Sequence, residues 1–527
     1  SSACALPIST VGATNADRPV TVLSSTTSFL SLVPSLLSLP ASNLRPGLAI
    51  HVSAQASSLA RDAEGSVTLT QVPELGALFE GVQSLEQGGW NGAVVLSETA
   101  QEAAQVGTGI AQAVTGAGYD LVNVFDGLTA GRQLANLSRA APVAAAGQSL
   151  ATILGAAVPP FTYSGSATAT QVLVLPASTY SSSAKAALAA LTNGGSDVGI
   201  VTVRVVKPWS ADAFLAALPT STKTLHVFAE EDSTVSPFYE DILTTLLTPP
   251  GFKLKLKSLS VPTAVLPTVQ DWASTILALS SSTAAPVLKS LLPEQAKLAV
   301  FWDLDSTSGL THLVPSSLAQ AFAASSTGVD AKLETKYDNF RQGGVQQATL
   351  LLEPTGQVGT EYSLSALAAT SPASLLFLSS PAAVLKAYEP ISLATVGPAT
   401  RVVISANWTS DELTAKLPVS ARKALATVAA GSKGNLFIID ADKLAAAQKV
   451  SAKDVAEIVF WSLYLPATIS AKEIVTLLAS NPSFASWDHA KLVEVNSAVR
   501  NAIVQADVDL IWTQDEIGRA LCRERVS

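Results

Sequence analysis

The chain has 527 residues, 48% hydrophobic, with a net charge of −9 and only 14% charged residues. That length accommodates several domains of roughly 100–200 residues each. Without a basic run there is no nucleic-acid footprint, which needs clustered Lys and Arg, and the longest apolar stretches, such as Phe29 to Leu39, are too short to span a bilayer.

Short β-branched runs alternate with Ala- and Leu-rich stretches. This predicts an α/β fold of several βα domains around mainly parallel sheets. Early strands fall at Pro19–Leu23, Leu48–Ser53 and Ala93–Ser97, each bounded by polar or turn residues. Glu98–Gly116 carries apolar residues at helical spacing, with Gly116 and Gly118 as its stop, and Asp120–Phe125 is the next strand. A first domain, 1–160, closes at Pro159-Pro160. A second, 166–265, opens with strand Gln171–Leu175 and helix Ser182–Leu191, followed by strand Val198–Val206. Ser210 is placed to cap helix Ala211–Leu218, and strand Thr224–Ala229 and helix Tyr239–Leu247 follow. A third domain, 296–450, starts with strand Lys297–Asp303 and holds a hairpin, Lys332–Tyr337 and Val345–Glu353. Strand Arg401–Ser405, helix Ser410–Leu417 and strand Asn435–Asp440 complete it, and 451–512 reads as helical. Residues 513–527 read as a non-native, adapter-derived tail, so the natural chain is expected to continue differently.

Motifs of known chemistry are missing from the sequence. Cys4 and Cys522, one at each extremity, cannot supply a four-cysteine cluster or a CxxC pair. His51, His226, His312 and His489 stand singly, so no metal ligand set is named. There is no phosphate loop, dinucleotide fingerprint, GxSxG elbow or HExxH. Gly431-Ser-Lys-Gly434 precedes a strand and reads as a turn, because a phosphate cradle needs a helix N-terminus after it. Asp303 and Asp305 could form a paired acid site at a strand end, but caps are the preferred reading, as they are for Asp440 and Asp442. Trp209, Trp302 and Trp408 sit at strand–loop junctions, where core packing is preferred over ligand stacking. No residue is assigned a catalytic, cofactor-binding or metal-binding role.

Two segments carry a family likeness. Gln171-Val-Leu-Val-Leu175, followed by Val198–Pro219 with its core Val201-Thr-Val-Arg-Val-Val-Lys-Pro-Trp-Ser210, resembles the transketolase-C-terminal-like domain of 2-oxoacid:ferredoxin oxidoreductases. Phe301-Trp-Asp-Leu-Asp305, Tyr337-Asp-Asn-Phe-Arg-Gln-Gly-Gly-Val345, Asn407–Pro418 and Leu436-Phe-Ile-Ile-Asp440 are similar to the gamma-type domain of the same enzymes. Val122-Asn-Val-Phe-Asp-Gly-Leu128 and Val459-Phe-Trp-Ser-Leu463 are similar to the fungal-type flavoprotein (alpha) component of assimilatory NADPH-sulfite reductase, whose N-terminal half is built in this way. The resemblance implies a degenerate thiamin-fold-like first domain. It also implies FAD, FMN and NADPH held beyond this region, a sirohaem-containing beta subunit as partner in a hetero-oligomer, and a cytoplasmic place in sulfur assimilation. This chain would then be scaffold or docking surface. A 2-oxoacid:ferredoxin oxidoreductase-like fragment, which would need thiamin pyrophosphate and iron–sulfur clusters, and a non-enzymatic interaction module are the alternatives.

Overall fold

The computed structural model describes residues between 20 and 506, apart from 39–46, 62–66, 127–148, 232–237, 305–313, 322–328, 339–344, 355–363, 386–392, 429–434, 465–474 and a few shorter stretches. These residues form a mixed α/β protein whose sheets are mostly parallel. The chain divides into two compact units, Ser1–Lys289 and Ser290–Ser527.

Unit 1 contains β1 (Val20–Ser25), β2 (Leu48–Ala54), a two-stranded hairpin of β3 (Ala56–Arg61) and β4 (Val67–Val72), β5 (Ala93–Ser97) and β6 (Leu121–Asp126). It continues with β7 (Phe161–Gly165), β8 (Gln171–Pro176), β9 (Val198–Val203), β10 (Val205–Lys207), β11 (Thr224–Glu230) and β12 (Lys255–Val261). Its first sheet has the order β1-β2-β6-β5-β10 and its second β12-β11-β8-β9-β7. Only β10 in the first and β7 in the second run antiparallel to their neighbours. The central strands are almost entirely buried, as both faces of a parallel sheet are covered by helices. On one face of the first sheet, Ala49, Val95, Leu121 and Val205 pack with Val106, Ile110, Val114, Ile153 and Leu154. Helices Thr26–Leu37 and Gly76–Gln87 meet at Gly81, where an added Cβ would lie 2.7 Å from Leu30 Cδ2. A side chain at this position would need Leu30 to shift.

The run expected as one strand, Val198–Val206, is in fact two strands in different sheets. β9 ends at Val203, Arg204 lies between, and β10 pairs with β5 of the first sheet. An apolar run reports burial but not which sheet buries it.

Unit 2 contains β13 (Lys297–Leu304), β14 (Val329–Asp338), β15 (Val345–Pro354), β16 (Leu375–Ser379), β17 (Arg401–Ser405), β18 (Leu436–Ile439) and β19 (Val504–Gln505). They form one sheet of order β14-β15-β13-β16-β17-β18-β19. The expected hairpin is present, with β14 paired antiparallel to β15 and β15 to β13. β13, β16, β17 and β18 run parallel. Side chains alternate between two cores. Phe301, Phe377 and Val403 face helices Ala452–Tyr464 and His489–Ala502, while Val300, Trp302, Leu376, Leu378 and Ile404 face the opposite side.

Candidate functional site

In an open parallel sheet, ligands bind in the crevice outside the carboxyl ends of the strands. In the first sheet of unit 1 that edge carries a dense set of buried polar groups. Glu98 directly follows β5 and is 4% exposed. Its Oε2 accepts from Lys185 Nζ at 2.7 Å and Arg204 Nη2 at 3.1 Å, and its Oε1 accepts from Ser181 Oγ at 2.9 Å. Arg204 also donates to Glu102 Oε1, from Nη2 at 2.9 Å and Nε at 3.1 Å, and to Thr162 Oγ1.

Local structure sets each of these side chains. Ser178 makes a capping box with Ser181 and starts helix Thr179–Ala190, which holds Ser181 and Lys185 one turn apart on the same face. Thr99 caps helix Ala100–Gln105 by accepting from Glu102 N, which turns Glu102 back toward Glu98 N (2.8 Å). Arg204 stands where the chain changes sheets, its carbonyl accepting from Leu96 N and its amide donating to Pro160 O. The expected helix start at Glu98 is therefore two residues early, and Glu98 is a strand-end acid.

A second polar row lies beneath the helical turns. His51 Nδ1 meets Asn123 Nδ2 at 3.0 Å, and Ser97 Oγ donates to Asn123 Oδ1 at 3.2 Å, linking β2, β6 and β5. With the amide donating, His51 Nδ1 is an acceptor, and burial pulls this imidazole below its usual pKa, so it is held neutral. Gly107, in the π-helical turn Val106–Ile110, lies over it, with room for a Cβ at 3.6 Å from His51 Cε1. Asp126 accepts from Thr179 Oγ1, and Glu230 accepts from Leu75 N and Gly76 N at the start of helix Gly76–Gln87. Burial, with Glu230 and Asp126 nearby, pushes the Tyr180 phenol well above its usual range.

The residues weighed from sequence fall as follows. Asp440 caps helix Ala441–Gln448, its Oδ1 accepting from Lys443 N at 2.9 Å, as preferred. Asp303 is 1% exposed, and among the described residues its Oδ1 accepts from Leu304 N at 2.8 Å and Ser380 Oγ at 3.0 Å rather than from a helix N-terminus. Asp305, His312 and Gly431–Gly434 lie outside the described residues. Trp209 packs against Phe161, Phe214 and Phe238 while its Nε1 donates to Thr245 Oγ1, and Trp302 is a core residue. Trp408 packs beside the same core, with Lys416 Nζ over its ring. His226 Nε2 meets Gln171 Oε1 at 2.9 Å. Among the described residues no group of three or more His, Cys, Asp or Glu is placed to hold a metal, and no helix is long and apolar enough to cross a membrane. Sequence reading assigned no role to Glu98, Glu102 and Lys185. The available signal was an acid immediately after a fully buried strand.

Mainly parallel α/β architecture with a buried polar cluster at the strand ends is the class this fold and site define. No protein-family model matches the chain. Over 93 residues, 17% of its length, it is 39% identical to sulfite reductase [NADPH] subunit beta of Schizosaccharomyces pombe, and the match spans 6% of that protein. Among solved structures it is similar to pyruvate oxidoreductase subunit PORC of Thermotoga maritima, at 10% identity and a TM-score of 0.26, covering 40% of this chain and 98% of that one. It is also similar to 2-oxoglutarate:ferredoxin oxidoreductase of Magnetococcus marinus, at 10% identity and a TM-score of 0.31, covering 51% and 55%. The sequence match is thus to a sulfite reductase subunit, but a beta subunit. It lends no support to the flavoprotein identity that the motif resemblance implied.

Proposed function

We propose that the chain is a 2-oxoacid:ferredoxin oxidoreductase-type scaffold belonging to an NADPH-sulfite reductase, where it contributes placement and docking rather than chemistry. The 39%-identical stretch supports the sulfite reductase assignment. The observation that carries the scaffold role is the ion-pair lock of Glu98, Lys185, Arg204 and Glu102 at the strand ends of unit 1. Buried charges are tolerated when paired and hydrogen-bonded. These four are paired with one another, across the place where a cofactor would sit in such a sheet.

Because the matched relative is a subunit beta, we place the chain in that subunit, with the flavoprotein component as its partner. FAD, FMN and NADPH then belong to the partner, and cofactors carry the electron-transfer chemistry. On this reading residues 1–160 descend from a thiamin-fold-like domain, 166–265 from a transketolase C-terminal-like domain and 296–450 from a gamma-type domain. The full chain should co-elute in size-exclusion chromatography with the flavoprotein component of a fungal NADPH-sulfite reductase, and should not itself take up FAD. Separate elution, or a stoichiometric yellow protein from this chain alone, overturns the proposal. The mainly parallel α/β architecture also favours a second reading, an active 2-oxoacid oxidoreductase fragment. Pyruvate-dependent reduction of a viologen dye by the purified chain would put that reading in place of the scaffold.

A further inference from the structure

Residues 285–289 follow helix Val269–Leu279 and run as a strap past the end of helix Thr179–Ala190, stopping where unit 1 stops. Ala285, Val287 and Lys289 are exposed, so little apolar burial holds the strap in place. Hydrogen bonds hold it instead. Thr192 N and Thr192 Oγ1 both donate to Val287 O at 2.9 Å, Lys289 N donates to Ala190 O at 2.8 Å, and Leu191 bridges Leu288. The side chain of Asn193 adds two more: its Nδ2 donates to Ala285 O at 2.7 Å, and its Oδ1 accepts from Val287 N at 3.1 Å. It thus serves a carbonyl and an amide of the same segment. An amide can do both, whereas a carboxylate only accepts.

The residue after this clasp is glycine. Asn193-Gly194 is one of two Asn-Gly pairs in the chain, the other being Asn91-Gly92. A backbone nitrogen on glycine has no side chain to shield it from the asparagine carbonyl carbon before it. Gly194 and Gly195 have φ of +155° and +80°, so the exposed turn around Asn193 is built on residues that rotate without a Cβ clash. Gly92, by contrast, is buried and leads directly into the fully buried β5, where packing opposes that rotation.

We propose that Asn193 is a deamidation site whose conversion releases the strap irreversibly. The Gly194 nitrogen attacks Asn193 Cγ, a cyclic imide closes, and the Cγ–Nδ2 bond breaks with loss of ammonia, which carries away the Gly194 amide proton. Water then opens the imide at one carbonyl or the other, to aspartate or to isoaspartate. Either product carries a carboxylate and has lost the Nδ2 donor, so Ala285 O is left facing an acceptor or nothing. Isoaspartate also adds a main-chain carbon ahead of Gly194. Attack needs the amide to leave its partners, so the reaction proceeds from the locally opened turn, and the product does not restore the clasp. Lys289, the last residue of unit 1, then becomes accessible to a trypsin-like protease. The site goes beyond the scaffold role and is independent of it.

The test is to age the full chain in mildly alkaline buffer, map residue 193 by peptide mass spectrometry, and measure the rate of tryptic cleavage after Lys289. Aspartate and isoaspartate should accumulate at 193 faster than at 91, and cleavage should accelerate in step with them. Asn193→Asp should be cut about five-fold faster than the unaged chain, the effect of losing one net hydrogen bond from the closed state, because cleavage tracks the population of the opened form. Asn193→Gln, whose longer side chain closes the imide far more slowly, should keep a cleavage rate that does not change with ageing. An intact Asn193 after ageing, or faster conversion at Asn91, overturns the site. Conversion at 193 with cleavage unchanged, or ageing-dependent cleavage in Asn193→Gln, overturns the clasp.

Discussion

Glu457 has no exposed surface, yet it stands in the middle of helix Ala452–Tyr464 among Val455, Ile458, Val459 and Phe460. Asn481 Nδ2 donates to its Oε1, and burial pushes its carboxyl up to about 7. The folded pKa exceeds the unfolded one of 4.5, so the native state binds the proton more tightly. Stability from this group is fully present below pH 4.5 and is lost as pH rises through about 7. The loss amounts to about 3 kcal/mol, at 1.36 kcal/mol per pKa unit. Glu457→Gln keeps the acceptor for Asn481 without the charge. It should raise the denaturation midpoint at pH 8, leave it nearly unchanged at pH 4, and flatten the decline between them. An unaltered pH profile in chemical denaturation would show that Glu457 is not the buried acid responsible.

Single residues divide by whether their partner is near in sequence. Asp440 was legible as a cap because its partner, Lys443 N, lies three residues on. Ser210 was legible for the same reason, accepting from Ala213 N. Glu457 gave no such signal, because an acid in a helix ordinarily marks the solvated face. Asp303 was visible as a strand-end acid, but its partner Ser380 is 77 positions away.

At the scale of elements, strands Ala93–Ser97 and Arg401–Ser405 and helix Tyr239–Leu247 have the bounds their patterns predict. Strand Lys255–Val261 was passed over because Lys255 and Lys257 interrupt its apolar positions. Such charges suit an edge strand, the place β12 occupies, where they discourage further pairing. Helix Thr179–Ala190 begins three residues before its predicted start, since the polar run Thr179–Ser183 gives no amphipathic stripe and Ser178 alone marks the cap.

That helix and the β9–β10 break make the ion-pair lock an interaction between elements, and its energetics follow. Removing one member of a buried pair strands the others' charge and costs about 3–5 kcal/mol. Glu98→Gln should therefore destabilise unit 1 by that order. Lys185→Met should cost much less in the Glu98→Gln background than alone, because neighbours sharing a partner are not additive. Additive losses in a double-mutant cycle of denaturation midpoints would mean the side chains do not act together. Ser178→Ala removes the cap that places Lys185 and should cost about 1 kcal/mol.

At the scale of the whole molecule, alternation of βα patterns was enough to predict mainly parallel sheets, since local periodicity encodes it. Strand order was not legible, because the register of β10 against β5 or of β13 against β16 joins residues separated by 70 or more positions. The packed clusters of Ala49–Val205 on one side, and of Ala296–Ala506 on the other, each draw residues from one unit alone. Domains with separate cores unfold as separate cooperative units. Glu98→Gln and Glu457→Gln, one in each unit, provide a direct test by scanning calorimetry. At pH 8 the first should lower one transition and the second raise another, each leaving its counterpart in place. A single transition moved by both variants would establish that the two units unfold as one.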